Sequence, residues 1–336
     1  MKAIVTGVAG FIGSHLAERL IGSDYDVIGV DCFTPYYPEW YKRANLAGLI
    51  ANRRFRLIGS DIIEVEWGEL LSEADVVCHL AAQPGVRASW GTRFDEYVKD
   101  NIVATQRILE GAKGTGIRKL VFASSSSVYG NPPTLPTPET APLRPISPYG
   151  VTKLAAEQLC RIYHEDFGVP VVILRYFTVF GRRQRPDMAL RRFIEAILDG
   201  REIHLFGDGE QTRDFTHVSD VVSATTAAIA SDHTGEVFNV GEGVSISVNA
   251  AIGTLEEIIG KSARVKRLKE REGDALHTWA DCKKAGEQLH YRPKVDFATG
   301  SREEFEWLKE LRKHRSSEYS IPSQRWSWGA RQRTRC

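Results

Sequence analysis

The sequence predicts an α/β fold in which a doubly wound parallel sheet is followed by a smaller α/β domain. Three observations carry this expectation. Short apolar runs at residues 3–5, 27–30, 55–58, 76–80, 120–123 and 171–174 recur with helix-like stretches between them. Between the first two runs, Ile12, Leu16 and Leu20 repeat every four residues and mark one apolar helix stripe. Gly7, Gly10 and Gly13 lie where the first run ends and that helix begins.

The six runs are nearly continuous in Val, Ile, Leu and Phe, as strands covered on both faces must be. Their alternation with helical segments is the pattern of a doubly wound domain. The chain has 336 residues, more than one ordinary core holds, so a second domain is expected. Regularity breaks at residues 131–148, which hold 7 of the 14 prolines and predict a long irregular loop walling a site. After residue 177 strands become sparse, which sets the expected boundaries at 1–177, 178–313 and a tail, 314–336. Segments of the second part are free to return to the first.

The tail carries Arg315, Arg325, Arg331, Arg333 and Arg335 with Trp326 and Trp328. It predicts a disordered or loosely docked terminus, with an anionic-partner site as the sharper alternative. A net charge of +1 gives no electrostatic argument for nucleic acid or membrane as partner. Cys32, Cys78, Cys160, Cys282 and Cys336 are odd in number and form no Cys-x-x-Cys, and the nine histidines show no ligand spacing, so no metal is expected. His79 and His217 read as structural. The N-terminus enters a strand directly, and no apolar run approaches the roughly 20 residues that span a bilayer. A cytoplasmic soluble protein is expected.

The glycines give the first chemistry. A glycine at the turn lets the chain reverse, the next admits a pyrophosphate to the backbone, and the last allows close helix–sheet packing. The helix N-terminus then faces the phosphates, as in Rossmann-type domains. Asp31 ends the second run, where a carboxylate accepts from both ribose hydroxyls and repels a 2′-phosphate. NAD is therefore favoured over NADP.

Tyr149 and Lys153 supply the second chemistry. Ser147 and Pro148 provide an N-cap and a first-turn proline, so a helix starts there and the i, i+4 spacing puts Tyr149 and Lys153 on one face. An ammonium about 6 Å from a phenol, at an effective dielectric of about 20, favours the phenolate by about 2.8 kcal/mol, or about two pKa units. Tyr149 is thus expected to fall from about 10 towards about 7–8 and act as a base. Ser124, Ser125, Ser126 and Ser127 end the fifth run beside it.

At these residues the chain resembles the extended short-chain dehydrogenases/reductases that modify nucleotide sugars. The resemblance covers the chain to about residue 312 and rests on TGVAGFIGSH, HLAA, SSVYG, SPYGVTK, LRYFT, FGDGEQTRDF and WADCKKA. It implies Tyr149 as base, Lys153 as its modulator and Ser125 as partner of the sugar hydroxyl. It implies NAD contacts from Phe11, Ile12, Asp61, Ile62, Leu80, Ala81, Ala82, Asn101, Ser124 and Tyr176 besides the glycines and Asp31. It also implies a homodimer and a UDP-sugar substrate.

Dehydratases and decarboxylases of this group carry an acid just before V-Y-G, where this chain has Ser126 and Ser127. Without a second acid or base, oxidation, rotation and re-reduction at C4 is left. Thr178 replaces the Asn usual in UDP-galactose 4-epimerases. The stretch from Thr178 through Arg185 and Met188, with Gly85, Val86 and Arg87, is similar to the UDP-glucuronate 4-epimerases. Such an enzyme makes a β-keto acid, and it must keep the carboxylate bond from standing perpendicular to the ketone. Ser126, Ser127, Thr178 and Arg185 are expected to clamp that carboxylate, unless Arg185 pairs with Asp187. Arg213 and Arg271 resemble diphosphate-binding arginines. Arg192, Phe206, Gln211 and Asp274 complete the expected nucleotide end. Epimerisation of neutral UDP-hexoses, decarboxylation or dehydration, and a catalytically silent NAD-binding scaffold stay open as alternatives.

Overall fold

The computed structural model describes residues 1–269 and 273–318. Its centre is a seven-stranded, wholly parallel sheet. From edge to edge the strands are Glu236–Val240, Val171–Tyr176, Lys119–Ser125, Val76–His79, Lys2–Thr6, Asp26–Val30 and Phe55–Ile58. The six expected strands are all present, and Glu236–Val240 is added from beyond residue 177.

The strands are apolar because both faces are covered. Ala3, Val5, Val27, Val76 and Val121 pack on one face against Leu16 and Leu20 of helix Phe11–Ile21 and Val221 of helix Val218–Ala230. Ile4, Ile28, Val77, Leu120 and Ile173 pack on the other against Ile108 and Leu109 of helix Ala104–Ala112 and Ala156 of helix Pro148–Phe167. Each such Val, Ile or Leu side chain contributes about 1.5–3 kcal/mol of burial.

The chain winds outward one way through its first three strands, then returns to the other side of Lys2–Thr6. The order therefore reverses between Lys2–Thr6 and Val76–His79, and a crevice opens beyond their carboxyl ends, where ligands bind in such sheets. Register aligns these ends: Thr6 pairs with Val30 and His79, and Ser125 with Tyr176.

Other residues after 177, apart from helix Val218–Ala230 and strand Glu236–Val240, build a smaller α/β layer above the crevice. Strand Glu202–Phe206 pairs in parallel with Arg264–Leu268, and Thr178–Phe180 with Phe215–His217. Phe180, Ile194, Leu255, Phe297 and Leu308 form its core. The last helix, Phe297–Glu318, runs past residue 313; the remainder of the expected tail lies outside the described residues. Among the described residues no helix is long and apolar enough to cross a membrane.

The proline-rich stretch differs from expectation in its role. None of residues 131–147 lines either cavity described below. Instead it props up other segments: Thr137 exchanges backbone hydrogen bonds with Trp279 and Asp281, and Glu139 accepts from the Asn239 N–H at 2.8 Å.

Candidate active site

Two adjoining cavities occupy the crevice. The smaller, of about 220 Å³, lies at the sheet's carboxyl edge. Gly7, Gly10, Phe11, Ile12, Gly13, Asp31, Asp61, Ile62, Leu80, Ala81, Ala82, Ser124, Tyr149, Lys153 and Tyr176 all line it.

Its floor requires glycine. Gly7 has φ +68°, and a Cβ there would stand 2.8 Å from the Ala81 backbone. A Cβ on Gly13 would run into the Gly7 carbonyl oxygen. Gly10 caps helix Phe11–Ile21 without any side-chain cap, so first-turn N–H groups remain for an anion. Asp31 is set in place by the N–H groups of Ala9 (3.0 Å) and Phe33 (2.8 Å). Burial pushes its carboxyl up, and the nearby Lys42 charge opposes this. The cradle and the positioned carboxylate fit a dinucleotide.

The Leu80–Ala82 wall is held by a buried polar chain. Thr6 Oγ1 accepts from the N–H groups of Leu80 and Ala81, both at 3.1 Å, and faces His79 Nδ1 at 2.8 Å. His79 Nε2 meets Thr105 Oγ1, which donates to the Asn101 carbonyl at 2.6 Å. Burial drives the His79 ring down to about 3, so it is neutral and structural.

Asn101 departs from its expected role as a cofactor contact. It is buried and lines neither cavity; its amide brackets Gln83 through both N–H and C=O and donates to Thr152 Oγ1 at 2.9 Å. Ser124 likewise commits its hydroxyl to buried Glu157, leaving its other atoms for the cavity. Glu157 in turn holds Arg175 through Oε2–Nη2 at 2.7 Å.

Tyr149 and Lys153 emerge from helix Pro148–Phe167, whose N-cap Ser147 accepts from the Gly150 N–H at 3.1 Å. Tyr149 joins the two cavities, and Ser125 hydrogen-bonds its phenol. Its acidity contradicts the expectation. Burial raises the phenol above its ordinary value, against smaller lowering from the Ser125 bond and the Arg185 charge. Loss of hydration acts on both groups and outweighs the charge–charge attraction between them. Burial also brings Lys153 down to about 8, with Cys160 and Glu157 opposing, and its ammonium sits 4.4 Å from the Phe122 ring centre.

The larger cavity, of about 1070 Å³, lies between sheet and smaller layer. Gly85, Val86, Arg87, Ser125, Ser126, Ser127, Thr178, Arg185, Met188, Arg192, Phe206, Gln211, Arg213 and Asp274 share its walls. Arg271 lies outside the described residues. Arg87 and Asp274 are joined across the opening at 2.8 Å, with the guanidinium 5.0 Å from the Phe206 ring centre. Arg213 donates to the carbonyls of Thr212 (2.8 Å) and Leu276 (3.2 Å). Arg185 forms the two-pronged pair with Asp187, through Nε–Oδ1 at 3.0 Å and Nη2–Oδ2 at 3.1 Å.

Sequence reasoning missed Tyr36 and Tyr97. Tyr36 lines both cavities and donates to Asp187 Oδ2 at 3.2 Å. Its signal was present: a proline-flanked aromatic pair, Pro35-Tyr36-Tyr37-Pro38, directly after Asp31. Tyr97 bonds the carbonyls of Pro84 and Gly85, both at 2.8 Å, and meets the Tyr149 ring edge-on.

The comparison with known proteins agrees with this geometry. Residues 3–241 match the model of the NAD dependent epimerase/dehydratase family. The chain belongs to that family. A Bacillus subtilis protein named as an uncharacterized UDP-glucose epimerase, YtcB, is 44% identical over 313 residues, covering 93% of this chain and 99% of its own. A UDP-glucuronate 4-epimerase of Thermodesulfobacterium geofontis is 39% identical over 313 residues, covering 91% and 96%. The crystal structure of UDP-glucuronic acid 4-epimerase from Bacillus cereus, in complex with UDP-glucuronic acid and NAD, superposes with a TM-score of 0.90 at 46% identity, covering 93% and 100%. The cofactor is accordingly NAD, the dinucleotide of that family.

Proposed function

We propose that this protein is an isomerase that interconverts UDP-glucuronate and UDP-galacturonate by oxidation, rotation and re-reduction at C4. The observation that carries the reading is the wall around Tyr149: hydroxyls at Ser125, Ser126, Ser127 and Thr178, a cation at Arg185, and no carboxylate at 126 or 127. NAD, when bound, supplies the oxidant for C4 and returns the hydrogen afterwards.

The chain's own residues do the rest. Tyr149 Oη takes the proton of the C4 hydroxyl and gives it back, with Ser125 hydrogen-bonded to that oxygen. Burial raises the phenol, the Ser125 hydrogen bond and the Arg185 charge favour its ionised form, and Lys153, one turn along the same helix, is its modulator. Ser126 and Ser127 offer no acid for a further step at C5 or C6. Thr178 and Arg185 restrain the carboxylate of the 4-keto sugar and so oppose loss of CO₂. A cleft of about 1070 Å³ leaves room for the sugar to turn while Arg213 and Arg87 keep the diphosphate.

In this reading residues 1–177 bind NAD, and 178–313 bind the nucleotide sugar while lending Glu236–Val240 to the sheet. A homodimer is supported by exposed Val151 and Ile162 on the helix that carries Tyr149, and by exposed Val103 at the end of a helical segment packed against it. Four described cysteines, Cys32, Cys78, Cys160 and Cys282, are unpaired, which suits a cytoplasmic enzyme. The Arg185–Asp187 pair favours a second reading, UDP-glucose/UDP-galactose 4-epimerisation, because a neutralised guanidinium asks for no charged sugar.

Purified protein incubated with UDP-glucuronate or UDP-glucose, without added NAD, and followed by sugar-proton NMR tests both. Conversion of UDP-glucuronate to the galacto form is expected. A UDP-pentose product would sink the clamp, and turnover of UDP-glucose alone would establish the second reading.

A further inference from the structure

Arg185 stands where the two cavities meet and carries the charge assigned above to the C6 carboxylate. In the structure that charge is already matched. The Nε/Nη2 edge of its guanidinium grips both oxygens of Asp187, and Tyr36 donates to one of them. Burial pushes the Asp187 carboxyl up, but the Arg185 charge and hydrogen bonds outweigh it and hold the acid below its ordinary range. Asp187 therefore stays ionised, and the pair is neutral.

A neutral pair offers an incoming anion little. One edge of a guanidinium fork accommodates one carboxylate, and two carboxylates beside the same fork repel each other. A hexuronate that takes this edge displaces Asp187 from the fork. The surroundings permit this: the Asp187 side chain is 35% exposed and the Arg185 side chain 20% exposed, and the Tyr36 hydroxyl remains as a donor for the released acid.

We propose that Asp187 is a built-in competitor for the substrate carboxylate, holding Arg185 until a hexuronate displaces it onto Tyr36 and water. The proposal rests on reading the cleft as a UDP-glucuronate site. A neutral hexose brings nothing that displaces Asp187, so the exchange itself separates the two sugars. It also keeps a bare guanidinium from facing the crevice between turnovers.

Calorimetry on the purified holoenzyme, with UDP-glucuronate and UDP-glucose as titrants, measures the ratio of the two dissociation constants. Asp187→Asn removes the competing charge at nearly constant shape, and its ratio is expected to shift towards UDP-glucuronate by roughly three- to tenfold. Asp187→Glu keeps a competing carboxylate and its ratio stays near that of the parent. Should the Asn variant melt early, Asp187→Ser gives the same reading. A ratio that is unchanged or moves towards UDP-glucose overturns the proposal, since Asp187 would then be inert or would be orienting Arg185 for substrate. A parent enzyme that rejects UDP-glucuronate overturns the site reading and the exchange together. A parent that binds it, with no gain on Asp187→Asn, overturns the exchange alone.

Discussion

Glu304 accepts a hydrogen bond at 3.0 Å from the backbone N–H of Gly181, tying the last helix to the start of the loop that carries Arg185. Its other oxygen is buried without a protein partner. Gly181 has φ +124°, so this anchor sits where the chain turns out of strand Thr178–Phe180.

Burial raises the Glu304 carboxyl to about 8, against smaller lowering from the Gly181 N–H and Arg191. The acid thus keeps its proton in the fold over a range where the unfolded chain has lost it. Its contribution to stability is complete below the unfolded value of 4.5 and is lost as pH rises through about 8. Glu304→Gln should melt progressively higher relative to the parent from pH 5 to pH 8. Thermal melts across that range check it, and parallel profiles would mean that Glu304 is ionised throughout.

Tyr149→Phe should lower kcat by about 10²–10⁴-fold, the usual worth of a positioned acid–base group. Nucleotide-sugar affinity should change little, because Arg213 and Arg87, proposed above to hold the diphosphate, line the same cleft and are untouched. Steady-state kinetics beside equilibrium binding separates the two, and a variant that keeps its kcat would leave the C4 proton without this base.

Much of this was legible because its logic is local. The glycine spacing, the Ser147–Pro148 helix start and the Tyr149/Lys153 pair each lie within a few residues, and the apolar strands announce themselves by composition. Glu236–Val240 was missed because it is short, lies at the sheet edge and carries Glu236 and Asn239, the latter bonded to Tyr129 and Thr137. Tyr36 and Asp187 are 151 positions apart, and Glu304 reaches Gly181 over 123. No spacing rule connects them; only the fold does. The proline-rich stretch was misjudged because irregularity reveals that a loop is long, not what it packs against. The Tyr149 acidity failed for a different reason, since sequence shows neighbouring charges and not the water removed around them.

Glu157, which accepts from Ser124, also pairs with Arg175 at 2.7 Å, with the two side chains only 3% and 4% exposed. Arg175 also donates to Tyr129 Oη at 2.8 Å and to the Glu139 carbonyl at 3.1 Å. Removing one partner strands the other in the interior, so Arg175→Met should cost about 3–5 kcal/mol. Arg175→Met/Glu157→Leu together should recover part of that loss. Denaturant titration of the single and double variants reads the coupling, and additive losses would show that the two charges are separately solvated.

Gly13→Ala tests the cofactor cradle with the smallest possible change. The added methyl would collide with the Gly7 carbonyl, and Gly7 is itself pressed against Ala81, so the turn has no free side to move towards. Either the turn opens or the helix retreats from the sheet, and both spoil the approach of a pyrophosphate to first-turn N–H groups. The variant should emerge from purification with little bound NAD, and its activity should rise with added NAD. Ultraviolet absorbance of the nucleotide released on denaturation measures the first effect. Full occupancy in this variant would mean that the phosphates are held elsewhere, and the glycines would then serve packing alone.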